Sequence, residues 1–288
     1  MLRRTFCHIP GIGRETEKNL WAQGCSDWDT FLQNPAEFNL GTADRDQTAR
    51  LVEQSLEALT DRNHQFFQLR LGHNEAWRAW PEFRSHCLYL DIETDGGRRG
   101  DAVTLIGLYD GNEFTGLVKG RDLERFHDLI SEANMIVTFF GLGFDVPMLQ
   151  KRFKSVPFDQ IHLDLCATLK RIGFRGGLKK IEKQLGWDRG EGIDGLTGLD
   201  AIRLWTEYCR GRADSLDKLI AYNREDVVNL EKLAQIAYDQ LSALTQGLPQ
   251  PEIPGLTEPL IAPSPSLRSP TGSFKKRSSG TRTGIPKR

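Results

Sequence analysis

The stretch Cys87-Leu88-Tyr89-Leu90-Asp91-Ile92-Glu93-Thr94 reads as a β-strand whose two faces differ. Leu88, Leu90 and Ile92 alternate with Tyr89, Asp91 and Glu93, and a period of two sends successive side chains to opposite faces. Both carboxylates therefore share a face. Two acids beside an apolar run near the centre of a sheet repel one another, a cost that bound cations relieve. A solvent-facing edge strand would show the same eight residues, so neighbouring segments must decide between the two readings.

Working outward, Val103 to Tyr109 and Glu113 to Lys119 form two more strands joined by Asp110-Gly111-Asn112, a hairpin turn sequence. Arg121 to Ala133 has helical spacing in Leu123, Phe126, Leu129 and Ile130. Met135 to Phe139 is a fourth strand, Val146 to Phe153 a helix and Gln160 to Leu163 a fifth strand. From Leu165 to Leu244 the chain is mostly helical, with Ser215 expected to cap a long last helix carrying Leu219, Tyr222, Asp226 and Leu230. The expected fold class is α/β: a mixed sheet flanked by helices.

Two later segments carry further acids. In Phe139-Phe140-Gly141-Leu142-Gly143-Phe144-Asp145-Val146-Pro147 a glycine-containing loop leads to an acid where a helix begins. Asp145 could serve there merely as an N-cap, with Pro147 in the first turn. In Tyr222-Asn223-Arg224-Glu225-Asp226, Tyr222 and Asp226 lie four residues apart on one helix face. Each segment alone has an ordinary structural explanation.

Asp-x-Glu on the first strand, Phe-Asp after the fourth and Tyr-x-x-x-Asp on a late helix together resemble the tyrosine-bearing subtype of the DEDD 3′-5′ exonuclease superfamily, which has a ribonuclease H-like core. Leu178 to Gly186, Leu204 to Tyr208 and Leu219 to Asn223 look similar to bacterial YprB-type predicted exonucleases, over roughly Phe83 to Leu241. The strand and helix order fits such a core. The resemblance implies a nuclease with two divalent cations, Mg²⁺ or Mn²⁺, held by Asp91, Glu93, Asp145 and Asp226. Asp91 would bridge the ions, Glu93 and Asp226 would hold the one carrying the attacking water, Asp145 would assist the other through water, and Tyr222 would orient the water. One position departs from the pattern, because an Asn common before Phe-Asp is replaced by Phe140. Asp164 and Phe140 are expected beside the site, and His162 is read as structural. Lys170, Arg171, Arg175, Lys179, Lys180 and Lys183 either contact phosphates or form a solvated helix face.

The remaining sequence bounds these expectations. The chain has 288 residues, 39% of them hydrophobic, and a formal net charge of -1. Binding to nucleic acid must then come from local basic patches. Five scattered cysteines suggest neither disulfides nor a zinc site. No apolar stretch approaches the roughly 20 residues of a membrane span, and Met1 to Cys7 lacks the apolar block of a signal peptide, so no membrane partner and a cytoplasmic location are expected. Four segments are expected. Residues 1–40 form a helix-hairpin-helix-like unit, in which Ile9-Pro10-Gly11-Ile12-Gly13 would bring Gly11 and Gly13 near a phosphate. Residues 41–82 form a helical linker, 83–244 the exonuclease domain, and 245–288 a Pro-rich, disordered tail with a basic end. The leading expectation is 3′-5′ exonuclease action on single-stranded or 3′-ended DNA. RNA as substrate, structure-selective endonuclease action, and a catalytically silent nucleic-acid-binding or scaffold role are the alternatives.

Overall fold

A computed structural model describes residues 1–190, 192–257 and 260. The helices before the sheet are α1 (Arg14–Ala22), α2 (Trp28–Gln33), α3 (Arg45–Thr60), α4 (His64–Gln68) and α5 (Trp80–Phe83). Then come β1 (Cys87–Thr94), β2 (Val103–Tyr109), β3 (Phe114–Val118), α6 (Phe126–Ser131), β4 (Met135–Thr138), α7 (Asp145–Arg152) and β5 (Ile161–Asp164). Helices α8 (Leu165–Arg171), α9 (Leu178–Gln184), α10 (Gly198–Cys209) and α11 (Ala213–Gln246) complete the described fold.

The five strands make one sheet in the order β3-β2-β1-β4-β5, antiparallel across β3, β2 and β1 and parallel across β1, β4 and β5. The strand carrying Asp91 and Glu93 is thus central, and the edge-strand reading fails. Leu90 and Ile92 face one layer, packed with Phe126, Val146 and Leu149 of α6 and α7. Tyr89 faces the other, which joins Leu230, Leu233 and Ala237 of α11. At the β2–β3 turn, the Asp110 carboxylate accepts from the backbone N–H of Asn112 and Glu113, both at 2.7 Å.

The N-terminal 83 residues belong to this same core. Trp28, Trp77 and Trp80 are fully buried, in one apolar cluster with Tyr89, Met135 and Leu241. Arg78, fully buried, anchors the contact: it pairs with Glu17 at 2.8 Å and Glu75 at 2.6 Å, while Glu17 also accepts from Thr5 Oγ1 and Phe6 N, each at 2.7 Å. A buried cation is tolerated when its donors are used in this way.

Two local expectations are corrected, and the capping alternative for Asp145 falls. Ser215 lies inside α11, whose N-cap is Arg212, and its hydroxyl donates to Glu207 at 2.9 Å instead. Phe144, not Asp145, occupies the N-cap of α7. The tail expected to be disordered from residue 245 is ordered at its start: α11 runs to Gln246, Ile253 is buried, and Thr257 N donates to Gln184 O at 2.7 Å. Its basic end, from Arg268 to Arg288, lies outside the described residues.

Candidate metal centre

Position 91 sits on the strand face turned toward α11, and the geometry there depends on a missing side chain. Gly107 of β2 pairs with Asp91, and a Cβ on it would lie 1.8 Å from Asn223 Oδ1. Glycine therefore lets α11 approach closely enough for Asn223 Nδ2 to donate to Asp91 Oδ2 at 2.9 Å. One helical turn further along α11, Asp226 joins the group. Ligand oxygens of Asp91, Glu93 and Asp226 lie within 4.8 Å of one another.

Asp145 arrives from the other direction. Pairing between β1 and β4 ends at Tyr89 and Val137, leaving the next stretch of β1 open on that side. Asp145 Oδ1 fills the gap, accepting from Ile92 N at 3.1 Å. This is why it is not an N-cap: its carboxylate is spent on the strand between the two other acids. It stands outside the tight trio, yet near enough for its charge to act on Asp91.

The electrostatics follow from burial. Glu93 and Asp145 are raised to about 8 and about 7, chiefly because burial disfavours their charged forms. For Glu93, the Asp226 charge adds to the rise. Asp91 is raised strongly, first by burial and then by Asp145, Asp226 and Glu93. Asp226 is raised by burial, against which the Arg189 guanidinium, 2.6 Å from Oδ1, works. Acids crowded in this way are a site short of positive charge.

Tyr222, almost fully buried, sits on the same face of α11 as Asp226. Burial, followed by Asp226, Glu93 and Asp91, drives its hydroxyl well above the usual phenol range. Lys179 of α9 donates to that hydroxyl and to Leu196 O, and its ammonium lies 4.2 Å from the Tyr222 ring centroid.

Other expected site residues are placed as follows. Asp164 accepts from Phe140 N at 3.0 Å, Leu142 N at 3.1 Å and Cys166 N at 3.0 Å, so it caps α8 and braces the loop before Asp145. Phe140 is 57% exposed, at a left-handed φ of 67°. Of the basic string, Lys179 alone is in contact with the site's named residues. Arg175 donates to the carbonyls of Lys170 and Phe174, Arg171 to Asn74 O, and Lys180 is exposed. His162 is buried, 2.8 Å from Thr138 Oγ1. Gly11 and Gly13 are exposed, but the helical element before that hairpin is only the 3₁₀ turn Leu2–Arg4, and a Cβ on Gly11 would meet Ala43 at 3.1 Å. Sequence reasoning missed Asn223, inside a segment it had singled out, and Arg189, in the unmarked string Asp188-Arg189-Gly190.

A family model of the RNase H superfamily matches residues 88–238, which contain all four acids. The chain belongs to the RNase H superfamily. No curated protein matches it. Among solved structures, this superfamily member is similar to the family B DNA polymerase from the hyperthermophilic archaeon Pyrobaculum calidifontis, with 20% identity and a TM-score of 0.43. That match covers 56% of this chain and 27% of the polymerase chain. No described helix of the RNase H-superfamily chain is long and apolar enough to cross a membrane.

The donor set fits a hard divalent cation. Its oxygens are close enough to share an ion, their carboxyls are raised by burial and mutual repulsion, and Asn223 Oδ1 is buried without a hydrogen-bond partner.

Proposed function

We infer that this protein is a metal-dependent nuclease that hydrolyses phosphodiester bonds, acting as a 3′-5′ exonuclease on DNA. The observation that carries the reading is the carboxylate trio of half-buried Asp91 with buried Glu93 and Asp226, with Asp145 bound to the strand between Asp91 and Glu93. Carboxylates so placed have no use in the core, because each costs desolvation and repels the others. Asp91, Glu93 and Asp226 would hold Mg²⁺ or Mn²⁺, with Asp145 beside them. A bound pair of such ions supplies a nucleophile near neutral pH and neutralises charge on the phosphate.

The chain's own groups have separable tasks. Asn223 holds Asp91 in its rotamer by a 2.9 Å hydrogen bond. Tyr222 keeps its proton through the neutral range, so it orients water or a phosphate oxygen rather than removing a proton. Lys179, next to that hydroxyl, places a positive charge where a phosphate would enter. The choice of 3′ polarity rests on the motif resemblance, and RNA as substrate and endonuclease action are the competing outcomes.

The test gives purified protein 3′- and 5′-labelled single-stranded DNA, RNA and duplexes with Mg²⁺, Mn²⁺ or EDTA. Stepwise loss of nucleotides from DNA 3′ ends, dependent on metal and abolished by Asp91→Asn, is the expected result. Intact substrates under every metal condition, or equal cleavage by Asp91→Asn, would overturn the nuclease reading. Preferential loss of RNA, or internal cuts, would replace its substrate or its mode.

A further inference from the structure

Arg189 stands between two acids. Its Nη1 lies 2.6 Å from Asp226 Oδ1, and its Nε donates to Glu182 Oε2 at 2.6 Å. The residue is only 7% exposed, and its Nη2 also meets Glu182 Oε2, so all of its nitrogens are shared between these two carboxylates. A buried guanidinium normally uses its planar fork to make two parallel hydrogen bonds to a carboxylate. Here two of its nitrogens, Nε and Nη2, are turned to Glu182 and Nη1 alone meets Asp226.

The contact with Glu182 is of another kind. Glu182 is buried, receives the Nε hydrogen bond, and is itself held by Asn229 Nδ2 at 3.0 Å. Arg189 thus has a two-nitrogen anchor on Glu182 and a single contact on Asp226. It lies on the segment between α9 and α10. Asp226 in turn has two claims on it, the guanidinium and the neighbouring carboxylates of Asp91 and Glu93.

We propose that Arg189 is a built-in counter-ion of the carboxylate cluster: it neutralises Asp226 while the site is empty of metal and yields that oxygen to a divalent cation, keeping Glu182 as its anchor. The proposal rests on reading the cluster as a metal site. Its consequence is a competition. Arg189 stabilises the metal-free fold and, by the same contact, weakens metal binding, so it sets the cation concentration at which the site fills.

Mn²⁺ binding to the full chain, followed by titration calorimetry and by loss of the free-ion electron paramagnetic resonance signal, tests this together with thermal unfolding in EDTA. Arg189→Met is expected to unfold at a lower temperature in EDTA and to bind Mn²⁺ at least tenfold more tightly. Glu182→Gln removes the anchor's charge and leaves the guanidinium to Asp226, so it is expected to bind Mn²⁺ severalfold more weakly. Should Arg189→Met not fold, Glu182→Gln alone decides. Unchanged or weaker Mn²⁺ binding by Arg189→Met, or unchanged or tighter binding by Glu182→Gln, would overturn the counter-ion role while leaving the metal site standing. If the unaltered protein binds no Mn²⁺, both the role and the metal site fall.

Discussion

At Phe140 the backbone holds a bulky residue at φ 67°, where a Cβ costs about 1–2 kcal/mol and Asn is tolerated far better. Its ring is more than half exposed and rests over Gly143. Little packing would be lost on replacing it. Phe140→Asn is expected to raise stability by about 1 kcal/mol in urea unfolding; a fall would mean that the ring's contact with Gly143 outweighs the relieved strain. Asp91 shows the opposite balance between fold and function. In Asp91→Asn the amide oxygen can still accept from Asn223, while one charge leaves a crowded, buried cluster. The metal-free protein should gain on the order of 1 kcal/mol, the worth of one pKa unit, as metal-dependent cleavage disappears. Equal or lower stability of the variant in EDTA would show that repulsion at the cluster is already relieved by Arg189 and Lys179.

Between elements, the approach of α11 to β2 is controlled at Gly107. A methyl group there overlaps Asn223 Oδ1, so Gly107→Ala must push the helix or the amide away from Asp91. A loss of about 1–3 kcal/mol is expected from such overpacking, with weaker Mn²⁺ binding, and calorimetric unfolding and binding measure both. Stability and affinity equal to the parent would mean that α11 can shift without disturbing Asp91. The Arg78 contact is another junction of elements. Arg78→Met would leave Glu17 and Glu75 buried with one cationic partner fewer, and removing one partner of a buried pair costs about 3–5 kcal/mol. Chemical denaturation should show that loss as one transition, because the N-terminal helices and the sheet share a core. The strands were readable from alternation, and the hairpin turn from Asp110-Gly111-Asn112. The Ser215 cap was not, since its hydroxyl was taken by Glu207 on α10, a contact between helices that no local pattern announces.

For the whole molecule, crowded acids make stability depend on pH in a definite direction. Glu93 and Asp145 are raised to about 8 and about 7, against about 4 in an unfolded chain, so between those limits the folded metal-free protein binds more protons than the unfolded one. Stability present below about pH 4 is therefore lost as pH rises through 7 and 8. In EDTA the melting temperature should fall from pH 6 to pH 8.5, and Mg²⁺ or Mn²⁺ should flatten the decline by neutralising the site. A melting temperature in EDTA that is level or rises over that range would contradict the assignment.

Local alternation was enough to read the order of strands and helices, because side-chain direction repeats with the backbone period, while Asp91, Glu93, Asp145, Tyr222 and Asp226 were nominated by the motif resemblance. Those same patterns left Asp145 open between cap and site, and left Arg189 and Asn223 unmarked. Their roles arise from approach across the chain: Asp145 to the unpaired edge of β1, Asn223 over a bare glycine, and Arg189 between Glu182 and Asp226. Burial and proximity between distant segments set both the charge state of a carboxylate and the partner of a guanidinium, and neither is encoded by a residue's immediate neighbours in the chain.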